Sequence, residues 1–199
     1  NKQQKLTSLL NTAFNLFTTQ GVAKTSIAEI SQKAGIAKGT FYLYFKDKYD
    51  IRNRLISHES SKLFKNAVAD LEEFSMEKDE QLGFEERLIF TINHIVDELN
   101  SNQTLLTFIS KNLSWGIFKE ALTTKVASDD INFKDVYYEM INAEDISLEE
   151  PEIMLFLIVE LVSSTCYSAI LYKEPADIDT IKPYLFKTVR AIIKEHTIR

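Results

Sequence analysis

Residues 34–50 read AGIAKGTFYLYFKDKYD, which sets Phe41, Tyr42, Tyr44 and Phe45 within five positions, beside Lys38, Lys46 and Lys48. Rings belong in a core and ammonium groups in water, so a stretch with both must divide its faces. At the helical step of about 100° per residue, Phe41 and Phe45 form an i, i+4 pair that turns inward. Lys38, Thr40, Tyr42, Leu43 and Tyr44 are left on the outward arc. These side chains suit a polyanion. Tyrosine and threonine hydroxyls can bond phosphate oxygens, a ring edge can pack on sugar or on a thymine methyl, and lysine supplies charge. Gly39 lets a backbone N–H approach a phosphate at the positive end of the helix. The expected division gives Thr25, Tyr42 and Lys48 to the phosphate backbone and Lys38, Thr40 and Tyr44 to base edges. No Arg, Asn or Gln stands between Gly39 and Phe45, so the bidentate base readers are absent and shape readout gains weight.

Helices must position these groups. With 5 Gly and 3 Pro among 199 residues, and Leu, Ile, Glu and Lys recurring at spacings of three and four, the chain reads as all-α. Leu6, Leu10, Ala13, Phe14 and Phe17 mark a first helix that Gly21 stops. Thr25 and Ser26 offer caps to a short second helix that Gly35 ends. A tight turn then leads to a third helix over Gly39–Phe45, the spacing of a helix-turn-helix whose second member enters the major groove. Charge agrees. Residues 1–54 carry nine Lys and Arg against Glu29, Asp47 and Asp50, a net +6, whereas the rest carries 14 against 26, a net −12. The basic quarter is the part expected to meet nucleic acid.

Asp47 reads as the start of a fourth helix that runs to about Phe74 and joins this head to a larger body. The expected domains are 1–46, a DNA-binding head, and 47–199, a helical bundle. Within the body, Leu88, Ile92, Ile95 and Leu99 form a clean helical stripe, followed by two or three less regular helices between Thr104 and Ala143. Ser147 and Glu150 read as a capping box before Pro151, opening a helix over Leu148–Tyr172. That helix is apolar on nearly every side. Its length approaches the ~20 residues of a membrane span, yet Glu160 and the run Ser163, Ser164, Thr165 favour burial by protein. A last helix is expected over Ile181–Thr197, with Pro183 in its first turn.

The segment from Leu9 to Ile51 resembles the N-terminal domain of TetR-type bacterial transcriptional regulators. Ala13, Phe17, Gly21, Thr25, Ile30, Ala34, Gly35, Lys38, Gly39, Thr40, Tyr42, Phe45 and Lys48 stand in the family's order without a gap. Two positions depart: Ser31 stands where Ala is frequent, and Ala37 where a Ser often caps the third helix. The resemblance implies a homodimer formed through the last two long helices, a palindromic double-stranded DNA operator, and a small-molecule effector held in the body. It implies a repressor that the effector releases.

For the effector pocket, the aromatic residues Phe108, Trp115, Phe118 and Tyr137 could line a cavity or be plain core. His94 shares a polar face with Arg87, Thr91 and Glu98 and is the candidate histidine. Glu160 could meet a cationic effector, bond across a dimer, or lie at the rim of the bundle. Catalysis has no support: G-x-S-x-G, a phosphate-cradling Gly loop and C-x-x-C are all missing, and Cys166 stands among apolar residues. His58, His94 and His196 lack metal-ligand spacing, so no metal or cofactor is expected. One cysteine and no signal-peptide pattern point to the cytoplasm.

Overall fold

The computed structural model describes residues 1–78, 81–112, 116, 119–120 and 130–198. Among them are nine α-helices: α1 Lys2–Thr19, α2 Ile27–Lys33, α3 Lys38–Phe41, α4 Lys48–Lys78, α5 Phe84–Ser101, α6 Gln103–Asn112, α7 Phe133–Asn142, α8 Pro151–Leu171 and α9 Ile178–His196. A two-residue antiparallel pairing joins β1 Ser147–Leu148 to β2 Thr197–Ile198. The all-α reading stands.

The head is built as its spacing predicts. Leu9, Leu10, Ala13, Leu16 and Phe17 bury one face of α1, and Gly21 takes the left-handed φ of 87° that turns the chain out of it. Ser26 caps α2 by accepting the Glu29 N–H at 3.1 Å. The third helix is shorter than the Gly39–Phe45 expected. It closes at Phe41, and the chain tightens into bonds from Leu43 N–H to the Thr40 carbonyl and from Tyr44 N–H to the Phe41 carbonyl. The Phe41–Phe45 pair survives because Phe45 N–H still donates to the Phe41 carbonyl at 3.0 Å.

Asp47 caps α4, its carboxylate accepting the N–H groups of Tyr49 and Asp50, both at 2.8 Å. At 31 residues, α4 extends roughly 46 Å, four residues past the Phe74 end expected, since no Gly or Pro interrupts the chain before Gly83. Its first turns send Ile51, Leu55 and Ile56 into the head core, and Leu63, Phe64 and Leu71 into the body core. One body residue, Phe108 of α6, also sits in the head core, with its ring 5.4 Å from Phe14 edge-on and 6.5 Å from Phe17 stacked.

Three expectations in the body are corrected. Ser147 and Glu150 make no capping box: Ser147 pairs with Ile198, and Glu150 takes a left-handed φ of 47° with no side-chain cap. The helix therefore begins at Pro151, whose missing N–H is harmless there. The last helix starts at Ile178, three residues earlier than expected, because Asp177 accepts the Thr180 N–H at 2.9 Å. Pro183 consequently lies inside α9 rather than in its first turn. Of the central helices, α6 and α7 are described and most of residues 113–129 lie outside the described residues.

α9 packs on α8, α4 on α5, and α8 on α6 and α5. α8 is long and apolar enough to cross a membrane, and 33% of its most apolar window is buried within the chain. Ile153 and Leu157 on α8, with Tyr184 on α9, remain exposed.

Candidate nucleic-acid interface

The sequence sets seven residues aside for nucleic acid, and the fold sorts them into two groups. Lys38 and Gly39 are exposed on α3, Thr40 is half-buried, and Tyr42 in the following turn is 52% exposed. Phe41 and Phe45 beneath them are buried, with ring centroids 5.4 Å apart. The Tyr42 ring stands edge-to-face on Phe41 at 5.6 Å, so its hydroxyl end is aimed outward by the core itself. A Cβ at Gly39 would meet no neighbouring heavy atom, which leaves that stretch of backbone open to approach.

Thr25, Tyr44 and Lys48 are engaged inside the head instead. Thr25 is 2% exposed, and its hydroxyl donates to the Gly21 carbonyl at 2.8 Å while accepting from the Gln20 amide at 3.3 Å. The Lys48 ammonium donates to the carbonyls of Val22, Ala23 and Thr25 at 3.0, 3.1 and 3.2 Å, which uses all three of its hydrogens. It fastens the α1–α2 connection to the start of α4. Tyr44 is half-buried against the head core, and its hydroxyl donates to the Lys2 carbonyl at 3.3 Å. The partners of Tyr44 and Lys48 are carbonyls far along the chain, so the spacing of side chains carries no sign of them.

Two further residues share this surface: Leu43, set on the outward arc by its spacing but given no contact there, and Tyr49, which the sequence did not single out. Leu43, adjacent to Tyr42, is 80% exposed, the aliphatic tip of the outward turn. Tyr49 on α4 is about half exposed, with the Arg52 guanidinium over its ring at 5.2 Å. Both departures from the family pattern have visible effects. Ala37 at the N-cap of α3 offers no side-chain acceptor, and the buried Ser31 hydroxyl has no hydrogen-bond partner. The head's edge is braced by Glu29, whose carboxyl is held below its usual range first by the Gln20 amide and then by Lys33, 3.1 Å away.

The body holds a partly open pocket of about 110 Å³. Its walls are mostly aliphatic, including Leu63 of α4, Ile92 and Leu99 of α5, Ile109 of α6, and Ile158 and Val162 of α8, with the rings of Phe64 and Phe133 and the hydroxyls of Ser60, Thr91 and Ser163 among them. Of the expected pocket residues that are described, none lines it. His94 faces outward, its ring nitrogens 2.9 Å from Asp70 and 3.2 Å from Glu98. Phe108 points to the head while its neighbour Ile109 reaches the cavity. Tyr137 is core, its hydroxyl donating to the Pro151 carbonyl at 2.9 Å, and Glu160 is exposed. Trp115 and Phe118 lie outside the described residues. An aliphatic lining looks like ordinary core in a sequence, so no residue type announced it. Cys166 is a further wall residue, and burial pushes its thiol up to about 12.

Residues 9–55 match the family model for bacterial regulatory proteins of the tetR family. The HTH-type transcriptional regulator AcrR of Shigella flexneri is 43% identical over 49 residues, 25% of this chain and 23% of its own length. The fatty acid metabolism regulator protein of Bacillus subtilis (strain 168) is 28% identical over 78 residues, 39% of this chain and 40% of its own. The matched stretch thus spans less than half the length of either relative. Among solved structures, a TetR-family transcriptional regulator from Haemophilus influenzae superposes with a TM-score of 0.59 at 18% identity, covering 99% of this chain and 98% of its own. The regulator FadR of Bacillus subtilis, in complex with stearoyl-CoA, does so with a TM-score of 0.56 at 15% identity, covering 92% and 96%. At such identities the likeness is one of fold.

Proposed function

We propose that this chain, whose residues 9–55 match the family model for bacterial regulatory proteins of the tetR family, is a regulator of that family that binds a double-stranded DNA operator and regulates transcription. It is a regulator and not an enzyme. The carrying observation is the surface left free on the head: Lys38, Gly39, Thr40 and Tyr42 side by side on a segment of net charge +6, joined to a body of −12. That arrangement draws phosphate to one end of the molecule. In this reading Tyr42 and the Gly39 backbone hold phosphates, Lys38 and Thr40 approach base edges, and Thr25, Tyr44 and Lys48 hold the reading surface in shape.

The working form is a cytoplasmic homodimer through α8 and α9, whose two heads occupy half-sites about one helical turn, ~34 to 36 Å, apart. It acts as a repressor. The effector lies in the body with an apolar portion in this pocket, whose lining agrees in chemistry, though not in volume, with the acyl chain of the ligand named for the FadR complex. It displaces DNA by favouring an arrangement of the heads that no longer fits two grooves.

Selection of random duplexes by the 199-residue chain tests the DNA reading. An inverted-repeat duplex whose affinity falls steeply with salt is expected. Failure to retain any duplex at low ionic strength sinks it. Titrating stearoyl-CoA into the duplex complex tests the effector class: release of DNA together with a raised melting temperature is expected, and neither change would remove acyl ligands from consideration.

A further inference from the structure

The free side chains of the reading surface are few, and one of them can do only one thing at a base edge. With Tyr44 tied to the Lys2 carbonyl, Lys48 to three carbonyls and Thr25 buried, the turn after α3 presents Leu43 beside Tyr42. Leu43 is 80% exposed, more than any other large apolar side chain described in the head, where Tyr42 and Tyr49 are each about half exposed. Its position is fixed from below: Leu43 N–H donates to the Thr40 carbonyl at 3.1 Å, and Phe41 and Phe45 anchor the chain on either side. A leucine neither donates nor accepts a hydrogen bond, so it can read a base only by packing on apolar surface. In the major groove that surface is the C5-methyl group of thymine.

We propose that Leu43 is a specificity-determining residue that selects thymine at one position of each operator half-site by burying its C5-methyl. The proposal rests on the DNA-binding reading above and names what that surface recognises. It also adds to how a recognition helix without Arg, Asn or Gln discriminates sequence: beside the base-edge approach of Lys38 and Thr40, a methyl contact supplies information that the Tyr42 and Gly39 contacts to phosphate do not.

Deoxyuridine tests it, because it keeps the Watson–Crick edge of thymine and lacks only the methyl. In the duplex selected by the 199-residue chain, each thymine is replaced in turn and binding is compared between the wild type and Leu43→Ala. One thymine per half-site should emerge at which deoxyuridine weakens the wild type about fourfold, the worth of one buried methyl, and leaves Leu43→Ala unaffected. Leu43→Ala should melt with the wild type, since the side chain is already in solvent. If no thymine shows the effect, or if both proteins lose equally at every position, Leu43 does not read a methyl and the proposal falls while DNA binding stands. If no duplex is selected at all, the DNA-binding reading falls and takes this proposal with it.

Discussion

Two rings four residues apart and the tyrosine that follows the first of them behave oppositely in this head, and the cause is the helical step. Phe41 and Phe45 are buried while Tyr42 is half exposed, as the 100° rotation requires. Replacing Tyr42 with Ala should weaken duplex binding to all sequences alike and lower the melting temperature only slightly, through loss of its edge-to-face contact with Phe41, without unfolding the head. Phe41→Ala should instead cost roughly 3 to 5 kcal/mol, read by thermal or denaturant unfolding. Ser31 carries a second prediction. Its hydroxyl is buried without a partner, so Ser31→Ala should raise stability by about 1 kcal/mol, and a lower denaturation midpoint would show that the hydroxyl has a partner in solution. What the sequence hid at this scale were the side chains whose partners are backbone. Lys48 and Tyr44 bond carbonyls 23 to 42 residues away, and no spacing of side chains encodes such a contact.

At the scale of the element, periodicity located every long helix that is described, and local chemistry set the ends. Asp47 capped α4 as its residue type suggested, but Ser147 was drawn into a two-residue strand by the chain terminus, which only the folded body brings near. The start of α9 depends on Asp177, whose carboxylate is held below its usual range by the Thr180 backbone N–H and next by the Thr180 side chain. A depressed folded value means the cap stabilises fully above the ordinary aspartate pKa of about 3.9 and is lost as pH falls through the folded value. The melting-temperature gap between wild type and Asp177→Ala should therefore be widest at neutral pH and close in acid. In α8, burial pushes the Cys166 thiol up to about 12. Iodoacetamide at pH 8 should leave Cys166 unlabelled in the native protein and label it on unfolding, as mass spectrometry would report.

The whole molecule joins a basic head to an acidic body, with its apolar excess on one side. Ile153 and Leu157 project from α8 and Tyr184 from α9, a patch continuous with the helix that is only one-third buried within the chain. If this patch is the homodimer contact, Leu157→Asp should yield monomers in sedimentation velocity and lower operator affinity by removing the second head. An unchanged dimer would move the interface elsewhere. The aliphatic cavity was not legible, because its wall residues differ from core residues only in what faces them, and that is decided by several helices meeting at once.

Phe108 gives the joint between the two ends an unusual form. The head's apolar centre is completed by a ring from α6, and Ile51, Leu55 and Ile56 complete it from α4. The head is therefore not a module that can be exchanged by cutting after the reading segment. A chimera that takes residues 1–55 from a relative and the rest from this chain receives a socket shaped for the donor's ring and a plug shaped for its own. Swapping DNA specificity between such proteins would succeed only where position 108 and its two aromatic neighbours, Phe14 and Phe17, travel together.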